Sequence, residues 1–237
     1  MATLRRVRLA SGDHLERLHF AGLAPRSRPV VRRRVLARLT DWHVLTTFER
    51  RIGGVRAGSA GLVFALDKTG HLLMNQAGSY RTPPLPTERF WRHLLDVTEL
   101  YVQLVELTAA GELRLLSYTT EPACWWRDSY GVLLKPDAHA VVEAPSVIDD
   151  WWIEVDRATE SLPTLRRKLN AYVDFARTGQ QGPGGVVPRV LVTVPTLERR
   201  AAVQKLINRL PAPGPELISV ALASEVMSVV IRQLRQT

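Results

Sequence analysis

The chain has 237 residues, a length that fits one large domain or two small ones. Hydrophobic residues make up 46% and charged residues 23%, a balance typical of globular proteins and not of disordered or fibrous chains. The single cysteine, Cys124, excludes an internal disulfide and favours a reducing compartment. No apolar run approaches the ~18 residues of a membrane helix, so we expect a soluble, cytoplasmic protein.

The net charge of +9 is concentrated at one end of the chain. Residues 1–75 hold 14 Lys/Arg and 5 Asp/Glu, whereas residues 76–237 hold 18 of each. A general preference for arginine, which supplies 28 of the 32 cations, would not by itself gather charge in the first third. A basic block followed by a neutral block predicts a module that binds a polyanion, joined to a module with another task. We expect the polyanion to be nucleic acid, ahead of an anionic membrane surface.

Two short helices are predicted near the start of the chain. Residues 11–20 form the first, capped by Ser11 or Asp13. Ser27 opens the second as its N-cap, with Pro29 in the first turn, where the missing N–H costs nothing. The buried stripe of the second helix is expected to comprise Val31, Val35, Leu36 and Leu39.

A hairpin follows the two helices. Residues 42–48 and 61–66 have the composition of strands, and the glycine- and arginine-rich residues 49–59 connect them. Two helices and a hairpin with a basic tip resemble a winged helix-turn-helix, in which the second helix enters the major groove and the hairpin lies on the flanking backbone. The usual first helix of that fold is short or missing here. The resemblance implies DNA contacts from two sets of arginines: Arg26, Arg28, Arg33 and Arg34 on the helix, and Arg50, Arg51 and Arg56 on the hairpin. The alternative is a solvated basic face.

A proline-rich stretch marks the predicted domain boundary. We expect a winged-helix DNA-binding domain over residues 1–75, a linker over 76–87 and a second domain over 88–237. The second domain is predicted to be a mixed-sheet α/β (α+β) fold. Its expected elements are helix 88–107, strands near 113–118, 130–134, 139–142 and 151–155, helix 162–176, strand 190–194, helix 196–209, strand 217–222 and a final helix to about 234.

Acidic residues accompany two of these strands. Asp137 follows one strand, and Glu154 and Asp156, two residues apart on another, project to the same side. Three converging carboxylates would hold a hard divalent cation such as Mg²⁺, which polarises a phosphodiester and activates a water. Lys168 and Tyr172 are four residues apart on the following helix, so they share a face from which the lysine would reach the carboxylates.

These motifs resemble those of a known superfamily. Pro136-Asp137, Glu154-Val155-Asp156 and the helical Lys168-x-x-x-Tyr172, in an α-β-β-β-α-β order, resemble the restriction-endonuclease-like PD-(D/E)xK fold. With the winged helix and the run over residues 153–161, the chain is similar to the replication-relaxation family. The name of that family implies roles in plasmid replication and in DNA relaxation or mobilisation.

The chain departs from the nuclease pattern at one position. A PD-(D/E)xK nuclease carries a lysine two residues after the strand carboxylate, where this chain has Asp156. Lys168 would substitute from the helix, and Glu99 would supply a further metal ligand. The resemblance thus implies a metal-dependent DNA endonuclease or nickase that uses Mg²⁺ or Mn²⁺. Its catalytic residues would be Asp137, Glu154, Asp156, Lys168 and Tyr172, with the first three as metal ligands.

The other hypothesis is a DNA-binding adaptor or transcriptional repressor without a cofactor, in which the nuclease-like domain is degenerate. Both hypotheses expect double-stranded DNA as partner, a nucleoid or plasmid association and no membrane. A homodimer or a replication or mobilisation protein is a further candidate partner. The apolar stripe of the last helix would serve a dimer interface or the domain core.

Overall fold

The computed structural model describes residues 1–49, 62–74 and 88–235. The chain divides into two compact units, Met1–Glu106 and Leu107–Thr237. Most of the long helix predicted over residues 88–107 therefore groups with the first unit. The expected domain bounds, 1–75 and 88–237, stay a prediction, and the linker over 76–87 lies outside the described residues.

The first unit surrounds a small antiparallel sheet with helices. Its sheet has the strand order β1-β3-β2, with Phe64 of β3 opposite Ala10 of β1 and Thr47 of β2. Residues 50–61, which connect β2 and β3, lie outside the described part. In chain order the elements are α1 (Ala2–Val7), β1 (Ala10–Ser11), α2 (Gly12–His19), α3 (Arg28–Asp41), β2 (Leu45–Glu49), β3 (Leu62–Leu66), α4 (Lys68–Leu73) and α5 (Glu88–Ala109).

Helix α2 begins where the sequence predicts, at Ser11. The Ser11 hydroxyl accepts a hydrogen bond from the His14 N–H at 3.1 Å, and the Ser11 N–H donates to His14 Nδ1 at 3.3 Å. This reciprocal pair is a capping box in which histidine takes the place usually held by glutamate or glutamine. Two of the N–H groups at the start of the helix are satisfied in this way.

Helix α3 buries part of the predicted stripe, with Leu36 buried and Val31 and Leu39 half-buried. Val35, by contrast, is 37% exposed and Arg32 is only 6% exposed. Arg32 donates to Glu16 of α2 at 2.6 Å, so a charged side chain occupies a core-facing position because its partner lies beside it. The predicted burial of Val35 was therefore wrong. The strand predicted from residue 42 starts only at Leu45, since α3 runs to Asp41 and the chain then turns.

The core of the first unit joins the sheet to α5. Buried Leu9 and Val63 pack with Leu94 and Leu95 of α5. The Thr98 hydroxyl, on the same helix face, donates to the Leu9 carbonyl at 2.6 Å. Helix α5 thus covers the sheet with apolar contacts and fixes its position with a buried hydrogen bond.

The second unit is built on a five-stranded mixed sheet with the strand order β10-β9-β8-β7-β4. Strands β4, β7 and β8 are antiparallel neighbours, whereas β8, β9 and β10 are parallel. The elements are β4 (Arg114–Thr120), β5 (Trp126–Arg127), β6 (Leu133–Leu134), β7 (Ala138–Ala144), β8 (Val147–Val155), α6 (Leu162–Arg177), β9 (Arg189–Val194), α7 (Leu197–Ile207), α8 (Gly214–Leu217), β10 (Ile218–Leu222) and α9 (Val226–Leu234).

The predicted mixed α/β (α+β) class is confirmed, with one correction. The strand expected over residues 130–134 does not join the large sheet. It is reduced to β6, which pairs with β5 in a separate two-stranded ribbon. Glycine at position 131 has a positive φ of 85°, so the chain turns there between the two short strands.

Helix α6 supplies much of the core of the second unit. Its residues Leu165, Leu169 and Val173 are at most 2% exposed and pack against the sheet together with Val203 and Ile207 of α7. The Trp152 ring lies 5.3 Å from the ring of Tyr172 and 5.2 Å from that of Phe175. These aromatic contacts fix α6 over β8.

The apolar stripe expected on the last helix comprises Val226, Val229, Val230 and Leu234. Val226, Val230 and Leu234 are at most 4% exposed and belong to the core, whereas Val229 is half-buried. A dimer interface on this helix stays a prediction. Across the described ranges, every helix is too short or too polar to cross a bilayer.

The central position of α6 predicts a large mutational effect. Leu169→Ala removes a side chain with 0% exposure and should lower the free energy of unfolding by about 2–5 kcal/mol. Leu197→Ala, at a position that is 56% exposed, is the matched control and should change it by less than about 1 kcal/mol. Urea unfolding followed by tryptophan fluorescence measures both. Equal effects would contradict the assigned core.

Candidate functional site

Asp137 and Glu154 lie at the same end of two neighbouring strands. Asp137 immediately precedes β7, and its N–H donates to the Ile153 carbonyl of β8 at 3.0 Å. The Asp137 carboxylate accepts a hydrogen bond from the Val155 N–H at 2.7 Å. Both side chains are buried, with 7% exposure for Asp137 and 2% for Glu154. The antiparallel register of β7 and β8 therefore brings these two acids together.

Helix α6 completes this group with the two residues that the sequence singled out. Lys168 Nζ lies 2.9 Å from Glu154 Oε2, and the Tyr172 hydroxyl donates to Glu154 Oε1 at 2.5 Å. The spacing of four residues places both donors on the face of α6 that covers β8. We call Asp137, Glu154, Lys168 and Tyr172 the carboxylate cluster.

The electrostatics of the cluster follow from two acids sharing one lysine. Burial and the charge of Asp137 raise the pKa of Glu154 to about 7, although Lys168 and Tyr172 oppose the shift. Burial lowers the pKa of Lys168, but the charge of Glu154 and its hydrogen bond outweigh this and raise it above the usual value. Burial and the charge of Glu154 also raise the pKa of Tyr172. The lysine thus stays charged, whereas burial favours the neutral form of Glu154.

Asp156 is engaged elsewhere. Its Oδ2 lies 2.6 Å from Nε of Arg199, the third residue of α7, and its Oδ1 accepts from the Ala158 N–H at 2.8 Å. Arg199 also donates to the Glu160 carbonyl at 2.8 Å. The chain leaves β8 at Val155 and turns through Ala158, which has a positive φ of 57°. Sequence reasoning missed Arg199, since it lies 43 residues downstream of its partner with no motif to connect them.

The carboxylates expected to bind a metal ion are already hydrogen-bonded or ion-paired within the protein. Within residues 1–49, 62–74 and 88–235, no three His, Cys, Asp or Glu side chains are grouped so as to hold a metal ion. Both oxygens of Glu154 already accept hydrogen bonds, and Asp156 is paired with Arg199. A hard cation needs several free oxygen ligands. The present arrangement suits a charge-compensated cluster better than Mg²⁺ or Mn²⁺.

Glu99, the further ligand expected from the sequence, belongs to the first unit. Its carboxylate lies 2.7 Å from Arg17 and 3.1 Å from His14, and it accepts a hydrogen bond from Gln103. Burial would raise the pKa of Glu99, but these donors outweigh it and lower the pKa to about 2. Glu99 therefore holds α2 against α5 as an ionised carboxylate.

The arginines that the sequence predicts to bind DNA differ in their contacts. Arg28 donates to the carbonyls of Ala21 and Leu23 at 2.5 and 2.8 Å, and so closes the turn before α3. Three others are exposed and make no hydrogen bond or ion pair with another described residue: Arg26, Arg33 and Arg34. The remaining arginines predicted to bind DNA lie outside the described residues: Arg50, Arg51 and Arg56.

Two residues that the sequence analysis did not select extend this exposed face of α3. Arg38 is exposed one turn after Arg34. Its guanidinium carbon lies 5.8 Å from the centroid of the Trp42 ring, and Trp42 is 60% exposed. The face therefore combines three arginines of one helix with an open aromatic ring at its end.

A family model described as Replication-relaxation matches residues 1–190, which include α3 and the whole carboxylate cluster. The chain belongs to the replication-relaxation family. Membership of this family suggests a role in plasmid replication or mobilisation. No curated protein and no solved structure matches the chain. The family match ends inside β9, before Arg199.

The raised pKa of Glu154 predicts a pH-dependent stability. Because the folded-state pKa lies above the ordinary 4.5, the contribution of the neutral carboxyl is fully present below about pH 4.5 and is lost as the pH rises through about 7. Glu154→Gln, which cannot ionise, should therefore gain stability relative to the wild type over this range, by at most about 3 kcal/mol.

Urea unfolding at a series of pH values measures this difference. Glu216→Gln, at an exposed position, controls for the loss of a carboxylate as such. Wild-type and Glu154→Gln curves that run parallel from pH 4 to 8 would contradict the assignment.

Proposed function

We propose that this member of the replication-relaxation family is a DNA-binding protein of plasmid or mobile-element replication or mobilisation. Its first unit is a winged helix-turn-helix that binds duplex DNA through α3. The observation that carries the proposal is the exposed group of Arg26, Arg33 and Arg34, which make no hydrogen bond or ion pair with other described residues.

The connectivity of the first unit supports this assignment. Helices α2 and α3 are followed by the antiparallel strands β2 and β3, the order of a helix-turn-helix with a hairpin wing. The second helix of the pair is the one that carries the exposed arginines. The connection over residues 50–61 holds Arg50, Arg51 and Arg56, whose contacts with the flanking backbone stay a prediction.

The chemistry of arginine favours DNA over a solvated face. Two less exposed arginines of the first unit are matched by carboxylates, Arg17 by Glu99 and Arg32 by Glu16. The arginines on the exposed face of α3 lack such partners among the described residues, so their guanidinium groups are available to phosphates or to guanine edges. Neutralising phosphates releases counterions, which gives salt-sensitive binding.

For the second unit we favour a non-catalytic platform for DNA or protein contacts. Its element order, β4-β7-β8-α6-β9 with the small ribbon inserted, directly follows α5 along the chain and supports a degenerate PD-(D/E)xK domain. The carboxylates that would act in a nuclease are compensated within the protein: Glu154 by Lys168 and Tyr172, and Asp156 by Arg199. The adaptor hypothesis therefore requires no rearrangement of these side chains.

A metal-dependent nuclease is the second candidate function. The observation that supports it is that Asp137 and Glu154 are buried side by side at the strand ends. Mg²⁺ or Mn²⁺ would supply Lewis-acid activation of a water and of the phosphodiester. Asp137 and Glu154 would hold the ion, and Lys168 and Tyr172 would have to release at least one Glu154 oxygen. Lys168 would then be free to contact a phosphate.

The DNA-binding proposal is tested by neutralising α3. Arg33→Gln together with Arg34→Gln should weaken duplex binding at least about tenfold and reduce the slope of log K against log salt by about 2, because two phosphate contacts are lost. The matched control is Arg166→Gln with Arg167→Gln, an adjacent exposed arginine pair on α6. Fluorescence anisotropy with a labelled duplex at several salt concentrations measures both. Equal affinities for the two double variants would place the DNA-binding surface elsewhere.

The choice between platform and nuclease is tested on supercoiled plasmid with Mg²⁺ or Mn²⁺. We expect shifted but intact DNA with wild type and with Glu154→Gln alike, because the carboxylates are already compensated. A gel shift of the same samples shows that the DNA is bound. Nicking or linearisation by the wild type that Glu154→Gln abolishes would instead establish the nuclease and its site.

A further inference from the structure

Trp42 stands apart from the other tryptophans of the chain. All six lie in the described part, and Trp42 is the exposed one, with 60% of its surface accessible. Trp151 and Trp152 are at most 1% exposed, and the remaining three are half-buried. A ligand that covered this indole ring would gain binding free energy, because burial of an aromatic side chain removes a large apolar surface from water.

The position of the ring links it to the exposed arginines. Trp42 follows the last residue of α3, four residues after Arg38, whose guanidinium lies over the ring at 5.8 Å. Arg38 pairs with no carboxylate among the residues that the structure describes. The guanidinium therefore restrains the ring from one side and adds positive charge beside it.

The chemistry of Trp42 and Arg38 indicates which class of ligand they would bind. An aromatic ring next to an unpaired guanidinium suits a flat, aromatic group attached to a phosphate, which is the chemistry of a nucleotide. Bases inside a duplex are already stacked on their neighbours, so their faces are not accessible. An unpaired base beside the duplex does offer a free face.

We propose that Trp42 and Arg38 form a stacking site for an unpaired base next to the duplex held by α3, so that the protein prefers DNA with a single-stranded extension or a melted segment. This inference rests on the proposed function and specifies the DNA structure that the same surface binds. Trp42 contributes stacking, and Arg38 contributes a phosphate contact and holds the ring.

The experiment compares a blunt duplex with the same duplex extended by a short single strand at its 3′ or its 5′ end. A third set carries an extension of abasic residues, which adds the same phosphates without bases. Wild-type protein should bind at least one of the two base-containing extensions about tenfold more tightly than the matching abasic one, within the range of one aromatic–base stack. Trp42→Ala should abolish this difference between the base-containing and the abasic extension, whereas Trp42→Phe should retain part of it.

Intrinsic fluorescence gives a second readout. Acrylamide should quench mainly Trp42 in the free protein, and the base-containing extension should protect it more than the abasic one does. Equal affinity of wild type for both extensions at each end, or a preference that survives in Trp42→Ala, would overturn the stacking site. The DNA-binding proposal fails separately, if neutralising Arg33 and Arg34 leaves blunt-duplex binding unchanged. A circular dichroism melt of each variant checks the fold.

Discussion

A carboxylate with 2% exposure must find its hydrogen bonds inside the protein, and Glu154 finds them on α6. Lys168 and Tyr172 reach its two oxygens from one face of that helix, four residues apart. The same face carries Leu165 and Leu169 into the core. The polar contacts therefore set the register in which the apolar stripe of α6 packs on the sheet. Loss of either donor would leave a buried charge partly uncompensated, which is among the most costly defects in a core.

Hydrogen-bond partners also distinguish the arginines that stabilise the fold from those that are available to a ligand. Arg17, Arg32 and Arg199 are matched to carboxylates at 2.6 to 2.7 Å, and each joins distant parts of the chain. Arginines on the exposed face of α3 have no such acceptor among the described residues. Since a guanidinium is always charged, its contacts distinguish a structural arginine from one available to a ligand. Sequence position alone does not make this distinction, as Arg28 and Arg33 show.

The features that the sequence predicts well are those with local causes. The cap at Ser11, the mixed α/β class and the convergence of Glu154, Lys168 and Tyr172 follow from hydrogen-bonding residues, alternation along a strand and four-residue spacing along a helix. Features with distant causes were missed. Asp156 turns to Arg199 through a backbone reversal at Ala158, and Arg32 replaces Val35 in the core because Glu16 of another helix receives it. No sequence spacing predicts that Asp156 pairs with Arg199 or that Arg32 pairs with Glu16.

The pair of Asp156 with Arg199 has a consequence for how the chain can be divided. The family match stops at residue 190, but Asp156 takes its counter-charge from residue 199, and β8 takes its parallel neighbour from Arg189–Val194. A protein cut at the end of the match would lose most of β9, all of β10 and the guanidinium that neutralises a side chain with 9% exposure. The family match therefore ends inside one compact unit, and residues 191–237 complete a sheet that the match covers only in part.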